Sequence, residues 1–538
     1  MYQVQLNESY FPAQPGEALI QRSVGDELYL AAKEAGDRNA LVEVLESGDL
    51  GRQWTYRELH QDALMLACHL ATKYEKGTRV AVCANNIPEW VILEYAAAFA
   101  GLVLVTVNPS FQTSEVRYVI EQSKSVALYV VESVRGNPVA EIAGQVRSEV
   151  SHLIDLVDMN NHQEFFGTER IDAADLPQVT ALDPVQIQYT SGTTGFPKGV
   201  VLHHYGILNN AVLVSERLRL NKNDTYLNIM PMFHTAGCGL GTLCPLVVRG
   251  RIALAAHFDP SVINATLESE QINCFLAVPT MLVGMLADLV KQPREHTIKA
   301  IMSGASMVAP TLVKQVTEQW NCAVQVVYGQ TETSPVITQA WPDDSPEDLS
   351  CTVGQPMPHT EISIINKDSG SYSAIGEIGE ICARGYCLMH EYNDNTEATT
   401  ATIDSCGWLH TGDLGSMDER GYIKITGRLK EMIIRGGENL FPVEIEIAML
   451  THSSLAEVAV VGIPDEKWGE QACCFIRLEE GAKLLSADEL KAFVRTKLSP
   501  QKTPNYWVYV SEWPLTASGK VQKFKLQEQF EQGLHTLV

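Results

Sequence analysis

Short apolar runs alternate with longer stretches of helical period through the first third of the chain. Residues 79–84 read Arg-Val-Ala-Val-Cys-Ala and predict a buried strand. Pro88 then opens an Ala-rich helical stretch to Ala100, residues 103–107 predict a second strand, 113–122 a second helix and 126–131 a third strand. Strands alternating with helices at this spacing predict βαβ units and parallel sheet, because parallel neighbours need a crossover connection and a helix supplies it. The pattern resumes at 300–302 and 324–327, with strand-like runs at 185–188 and 200–202 between. Beyond Asp413 the elements shorten. Residues 422–426 are strand-like, Gly427-Arg-Leu-Lys430 interrupts them, 442–450 has a helical pattern, 457–462 and 472–478 read as strands, and 487–497 as a helix. The change predicts a boundary near Lys430. The expected architecture is α/β: a large N-terminal lobe, residues 1–429, with βαβ-type sheets flanked by helices, and a small α+β C-terminal domain, residues 430–538, of about 110 residues, an ordinary size for a small domain. Residues 342–348, Pro-Asp-Asp-Ser-Pro-Glu-Asp, read as a solvated loop.

Composition narrows the function classes. Hydrophobic residues are 45% and charged residues 20% of the 538, ordinary globular usage that excludes wholesale disorder. The 40 Lys and Arg against 65 Asp and Glu leave a net charge of −25. With no Lys/Arg run, that balance argues against a nucleic-acid partner, though local dipoles and a few cations still suffice for an anionic ligand. The 12 cysteines form no Cys-x-x-Cys pair and read as buried thiols in a reducing compartment. The longest apolar run, 95–107, contains Gly101 and is too short to span a bilayer. Residues 1–16 lack the basic start and apolar stretch of a secretory leader. The expected location is cytoplasmic, with no integral membrane segment; a homodimer is compatible with all of this.

The densest chemistry lies in Tyr189-Thr-Ser-Gly-Thr-Thr-Gly-Phe-Pro-Lys-Gly199. Glycines let backbone N–H groups converge on an anion, Thr190, Ser191, Thr193 and Thr194 add hydroxyl donors, and Lys198 adds a full charge. The segment is not a Walker A loop, because Pro197 stands where the second Gly is needed and Gly199 follows the Lys. A plain Gly/Thr hairpin between two strands is the alternative. Gly237-Cys-Gly-Leu-Gly241 fails the dinucleotide-binding spacing, and no Gly-x-Ser-x-Gly or Ser-His-Asp arrangement competes.

This segment resembles the signature phosphate loop of the adenylate-forming superfamily, which includes acyl-CoA synthetases, peptide-synthetase adenylation domains and luciferases. Further motifs of the superfamily follow in order: Pro231-Met-Phe-His-Thr-Ala-Gly237, Tyr328-Gly-Gln-Thr-Glu332, Gly376-Glu-Ile-Gly-Glu380 with Arg384-Gly385, Trp408-Leu-His-Thr-Gly-Asp413, Gly427-Arg-Leu-Lys430 and Pro514-Leu-Thr-Ala-Ser-Gly-Lys520. The resemblance runs from about residue 50 to the end. It implies an ATP-dependent acid–CoA ligase: a carboxylate attacks the α-phosphate of ATP, and the acyl-adenylate passes its acyl group to the thiol of coenzyme A.

The resemblance assigns roles by position. Thr190, Ser191, Gly192, Thr193, Thr194, Gly195 and Lys198 would hold phosphates, with Ala305, Tyr328 and Gly329 beside adenine, Asp413 on the ribose hydroxyls and Arg428 near ribose and phosphate. Lys520, Thr331, Glu332 and His234 would be catalytic, with Glu332 the ligand of Mg²⁺, an ion that usually keeps waters and phosphate oxygens besides one or two carboxylates. His234, Gly237, Cys238, Gly304, Gly329, Pro335 and Val336 would line the acyl pocket. Lys430 would be the hinge of a mobile C-terminal domain, and Gly436 and Gly437 would border the CoA path. Within the superfamily the chain looks most like medium- and long-chain fatty acyl-CoA synthetases. The small, apolar acyl wall also accommodates an aryl acid, and an enzyme loading a carrier protein or a silent nucleotide-binding protein are the other readings. One departure stands out: His390-Glu391 precedes Tyr392 where many relatives have Gly before the Tyr.

Overall fold

A helix whose every side meets apolar neighbours belongs inside a layered fold rather than on its surface. Pro88–Ala100 is such a helix: Pro88 stands at its first turn, Gly101 closes it in the left-handed conformation at φ 65°, and eleven of its thirteen residues are buried. It packs on Tyr56–Lys73, the helix that Thr55 and Glu58 start with a reciprocal cap. The computed structural model describes all residues except 191–196, 307, 368, 437, 480 and 516–519.

Among the described residues, four sheets organise the chain. A seven-stranded sheet is ordered Glu391–Tyr392, Lys198–His203, Pro184–Thr190, Val103–Thr106, Arg79–Cys83, Ala127–Val130 and Asp155–Asp158. Its last five strands pair in parallel, as the alternation of strands and helices predicts. A nine-stranded sheet runs Gln355–Pro356, Thr338–Gln339, Ala323–Tyr328, Ala300–Ser303, Cys274–Leu276, Thr225–Asn228, Arg251–Ala255, Asn39–Val44 and Leu50–Thr55. An antiparallel third sheet contains Thr360–Ile365, Gly379–Gly385, Leu409–Met417 and Ile423–Arg428. The fourth sheet draws all its strands from Ile433 to Tyr509: Glu438–Leu440, Ile433–Arg435, Gly469–Leu478, Leu455–Asp465 and Tyr506–Tyr509. Helices Pro442–Leu450, Ala487–Arg495 and Lys523–Glu531 accompany it. The architecture is the expected one, a large mixed α/β portion with a smaller α+β portion after it. Among the described residues, no helix is long and apolar enough to cross a membrane. All twelve cysteines are free, ten of them buried.

Two local readings are corrected. Gly427-Arg428 does not interrupt its strand: Ile423–Arg428 continues through both residues because their backbones pair with Leu414 and Asp413. Residues 342–348 are not simply solvated. Ser345 caps the helix Pro346–Cys351, Asp344 accepts from the Trp341 N–H at 2.7 Å and from the Tyr422 hydroxyl, and Asp348 pairs with Arg420 at 2.8 Å. Both acids are buried, which their local sequence alone does not reveal.

Candidate active site

The strands Pro184–Thr190 and Lys198–His203 form an antiparallel hairpin closed by the pair Thr190 and Lys198. Hairpin and anion loop are therefore compatible readings of one segment. Ser191, Gly192, Thr193, Thr194 and Gly195 lie outside the described residues. The hairpin is tied next to its closing pair. Tyr189 donates to Gln122, whose amide donates to the Asn393 carbonyl at 2.6 Å, and the Asn393 N–H returns to the Gly199 carbonyl at 2.7 Å.

Facing it is a cleft of about 2800 Å³, lined from both the large portion and the C-terminal one. Close backbone approaches shape its wall. A Cβ on Gly329 would lie 1.9 Å from the Pro335 carbonyl oxygen, and one on Gly304 would lie 2.5 Å from that of Val327. Ala305 follows in the left-handed region at φ 66°. The 3₁₀ turn Thr331–Thr333 carries Glu332, whose carboxylate accepts the Tyr392 hydroxyl at 2.7 Å. Pro335 and Val336 line the same cleft.

Asp413 and Arg428 sit at paired positions of neighbouring strands and line the same cleft. Arg428 Nε donates to Asp413 Oδ1 at 2.8 Å, and the Tyr328 hydroxyl donates to Oδ2 at 2.9 Å. Next to them, His410 Nδ1 meets Glu380 at 2.8 Å and Cys382 Sγ at 3.4 Å, while Glu380 accepts the Gly412 N–H at 3.0 Å. This cluster braces the turn that delivers Asp413. Its members come from two strands, and sequence spacing carries no sign of it.

Lys520 reaches the same cleft. Withdrawal from water lowers the pKa of its ammonium and the Arg428 guanidinium lowers it further, while Asp413 and Glu332 act in the opposite direction. His234 is pushed down to about 4, first by burial and then by the charge of Lys520, so its imidazole is neutral at pH 7. Its Nδ1 accepts the Ala236 N–H at 3.1 Å. The expected wall residues separate here. His234, Thr235 and Ala236 line the cleft, but Gly237 and Cys238 stand behind it. The segment Ala236–Leu240 is a π-helix in which Gly237 packs against the Pro231 carbonyl, 2.2 Å from where a Cβ would be, and Cys238 receives the Gln188 amide at 3.0 Å. Of the residues expected at the acyl pocket, Gly237 and Cys238 therefore do not line this cleft.

Lys430 lines the cleft between the strand ending at Arg428 and the one starting at Ile433. Gly436, at φ 60°, lies under Trp468, whose ring would be 2.7 Å from an added Cβ; Gly437 lies outside the described residues. Lys523, which sequence reasoning passed over, is held between Glu431 at 3.1 Å and Glu446 at 2.8 Å. The His390-Glu391 departure also finds its physical place. The His390 ring packs 4.6 Å from that of His203 and its Nε2 meets the Leu182 carbonyl, the His390 backbone N–H donates to the Val201 carbonyl, and Glu391–Tyr392 is an edge strand paired with the hairpin.

Family models match the two portions separately: that of the AMP-binding enzyme over residues 28–393 and that of the AMP-binding enzyme C-terminal domain over 444–520. The chain belongs to this family, that of the AMP-forming acyl-CoA synthetases and ligases. It is 36% identical over 95% of its length to YngI of Bacillus subtilis, whose name describes an acyl-CoA synthetase, and covers 97% of that protein. To the mitochondrial medium-chain acyl-CoA ligase ACSF2 of Bos taurus it is 35% identical, over 98% of this chain and 90% of the relative. Among solved structures it superposes on ATP-bound MatB from Rhodopseudomonas palustris with a TM-score of 0.82 at 25% identity, covering 94% of this chain and 99% of that one. Against apo MatB the TM-score is 0.73 over the same share of each chain.

Proposed function

We propose that the chain is an ATP-dependent acid–CoA ligase for a medium- to long-chain fatty acid. The ionised carboxylate attacks the α-phosphorus of ATP, a P–O bond to the β-phosphate breaks, and pyrophosphate leaves. The thiol of coenzyme A, losing its proton, then attacks the acyl carbon of the adenylate, and AMP leaves. The observation that carries the reading is the convergence of Lys520, Arg428, Asp413 and Glu332 on one cleft. Two anions must be brought together there, and the barrier falls when fixed cations meet the charge developing at phosphorus.

In this reading Lys520 supplies a compact ammonium with three donors to the transition state, a role that its place in the cleft with Asp413 and Glu332 suits. Asp413 takes the ribose hydroxyls, with Tyr328 and Arg428 fixing both of its oxygens. Ala305, Tyr328 and Gly329 border the base, and Thr190, Lys198 and the segment 191–195 border the phosphates. His234, neutral, sits beside the substrate carboxylate as a hydrogen-bonding wall and not as a base, since that carboxylate is already ionised. Glu332 offers one hard carboxylate facing the cleft, a donor that fits Mg²⁺; it would hold the ion, which would supply charge neutralisation at the phosphates.

The domains are 1–429 and 430–538, with Lys430 the hinge. The higher similarity to the ATP-bound relative than to its apo form supports reading this arrangement as the adenylating one. Turning the C-terminal domain would withdraw Lys520 and bring the Gly436–Gly437 segment to the thiol path. The apolar cleft wall and the resemblance to medium-chain ligases support the fatty acid, each buried methylene contributing about 0.8 kcal/mol.

The test is pyrophosphate release from MgATP with acids from C2 to C18 and aryl acids, each with and without CoA. Sustained, CoA-dependent release with medium or long alkyl acids is expected; a preference for aryl acids, or a burst that CoA does not relieve, overturns the reading. Lys520→Ala is expected to abolish acyl-AMP formation while retaining thioester formation from supplied acyl-AMP. Full turnover from acid and ATP by that variant refutes the role of Lys520.

A further inference from the structure

Tyr392 touches two charged groups that the chain brings together from different elements. Its hydroxyl donates to Glu332 at 2.7 Å, and the Lys198 ammonium lies 4.5 Å from the centre of its ring. The residue is 6% exposed. Its backbone is fixed twice over. Tyr392 pairs with Val200 and Glu391 with Val201 along the hairpin strand that begins at Lys198, while the Met389 N–H donates to the Glu332 carbonyl at 2.8 Å. The segment 389–393 is thus a strut between the hairpin and the turn carrying Glu332.

A glutamate side chain has three rotatable bonds, and a single charge-assisted hydrogen bond from a buried, rigid donor removes much of that freedom. A cation over an aromatic face is held by the ring quadrupole without losing its donors to an anion. Plain packing would need only the ring. The buried hydroxyl aimed at a carboxylate is the part that packing does not explain.

We propose that Tyr392 is a positioning residue for the adenylation half-reaction: its hydroxyl orients the Glu332 carboxylate toward the metal–nucleotide complex and its ring holds Lys198 over the same place. This rests on the reading of Glu332 as the Mg²⁺ ligand. The phenol and the ring make separable contributions, so the two substitutions that separate them have different signatures. Tyr392→Phe keeps the face under Lys198 and removes only the donor. Tyr392→Leu removes both.

The experiment uses the full chain, its folding checked by thermal midpoint. Pyrophosphate release is followed against free Mg²⁺ at fixed ATP, Mn²⁺–ATP binding by electron paramagnetic resonance, and thioester formation from supplied acyl-AMP as the control. For Tyr392→Phe, the expected result is a rise of about ten-fold in the apparent KM for Mg²⁺, a matching weakening of Mn²⁺–ATP binding, an unchanged KM for ATP at saturating metal, and an unchanged rate with supplied acyl-AMP. Tyr392→Leu adds a rise in the KM for ATP. Wild-type metal dependence in Tyr392→Phe, alongside lost metal dependence in Glu332→Gln, overturns the positioning role. Wild-type metal dependence in both variants overturns the reading of Glu332 instead. An equal loss in both half-reactions assigns Tyr392 a merely structural role and also overturns the proposal.

Discussion

Asp413 shows how a single carboxylate is prepared at the residue scale. Both of its oxygens accept hydrogen bonds from within the protein, from Arg428 and from Tyr328, and it is 6% exposed. A buried acid so held has lost its rotational freedom in advance and keeps further lone pairs for two hydroxyls on one face. Asp413→Ala removes that acceptor and leaves Arg428 and the Tyr328 hydroxyl without their partner. The expected outcome is a rise in the KM for ATP of about a hundred-fold, in line with roughly 2–3 kcal/mol for a lost charge-assisted pair. Steady-state kinetics in ATP check it, and an unchanged KM for ATP rejects the ribose assignment. The Asp was legible from its Thr-Gly turn and motif. Its partner Tyr328, 85 residues away, was legible only as a flat ring; the hydroxyl contact needed the fold.

Elements show where periodicity suffices and where it does not. The bounds of Pro88–Ala100 and Pro442–Leu450 coincide with the sequence reading, because each begins with Pro at its first turn and the first ends at a left-handed Gly. Strands were recognised but read short: residues 457–462 became Leu455–Asp465, since an antiparallel partner extends a ladder beyond its apolar residues. Trp90 in the helix Pro88–Ala100 is fully buried. Trp90→Ala is expected to cost about 3–5 kcal/mol by leaving a cavity between packed helices. Urea unfolding measures it, and a loss under about 1 kcal/mol shows that Trp90 is not closely packed between helices. The segment Glu391–Tyr392 is the opposite case: two residues with no periodicity at all, made into a strand by an available hairpin edge.

At the scale of the whole molecule, buried histidines couple stability to pH. Burial pushes His203 down to about 4 and His204 to about 3. The folded chain therefore binds fewer protons than the unfolded one below about pH 6.5, the ordinary imidazole value. Stability is full above that pH and falls as pH drops through the window toward 4. Each group is expected to remove about 2 kcal/mol between pH 7 and 5, a range in which ordinary carboxylates barely titrate. Unfolding midpoints across that range test this; a flat profile refutes it. The sequence by itself determined the alternation of strands and helices, the change of character after Asp413 and the ordered motifs that place the chain in its family, because periodicity and short motifs are contiguous and need no partner. The tertiary structure alone decided that Tyr392 meets Glu332 from 60 residues away, that Cys238 does not line the cleft, and that Lys520 comes beside Asp413 and Glu332. Each of those depends on strand register and on how separate layers pack, and neither is written in any one segment.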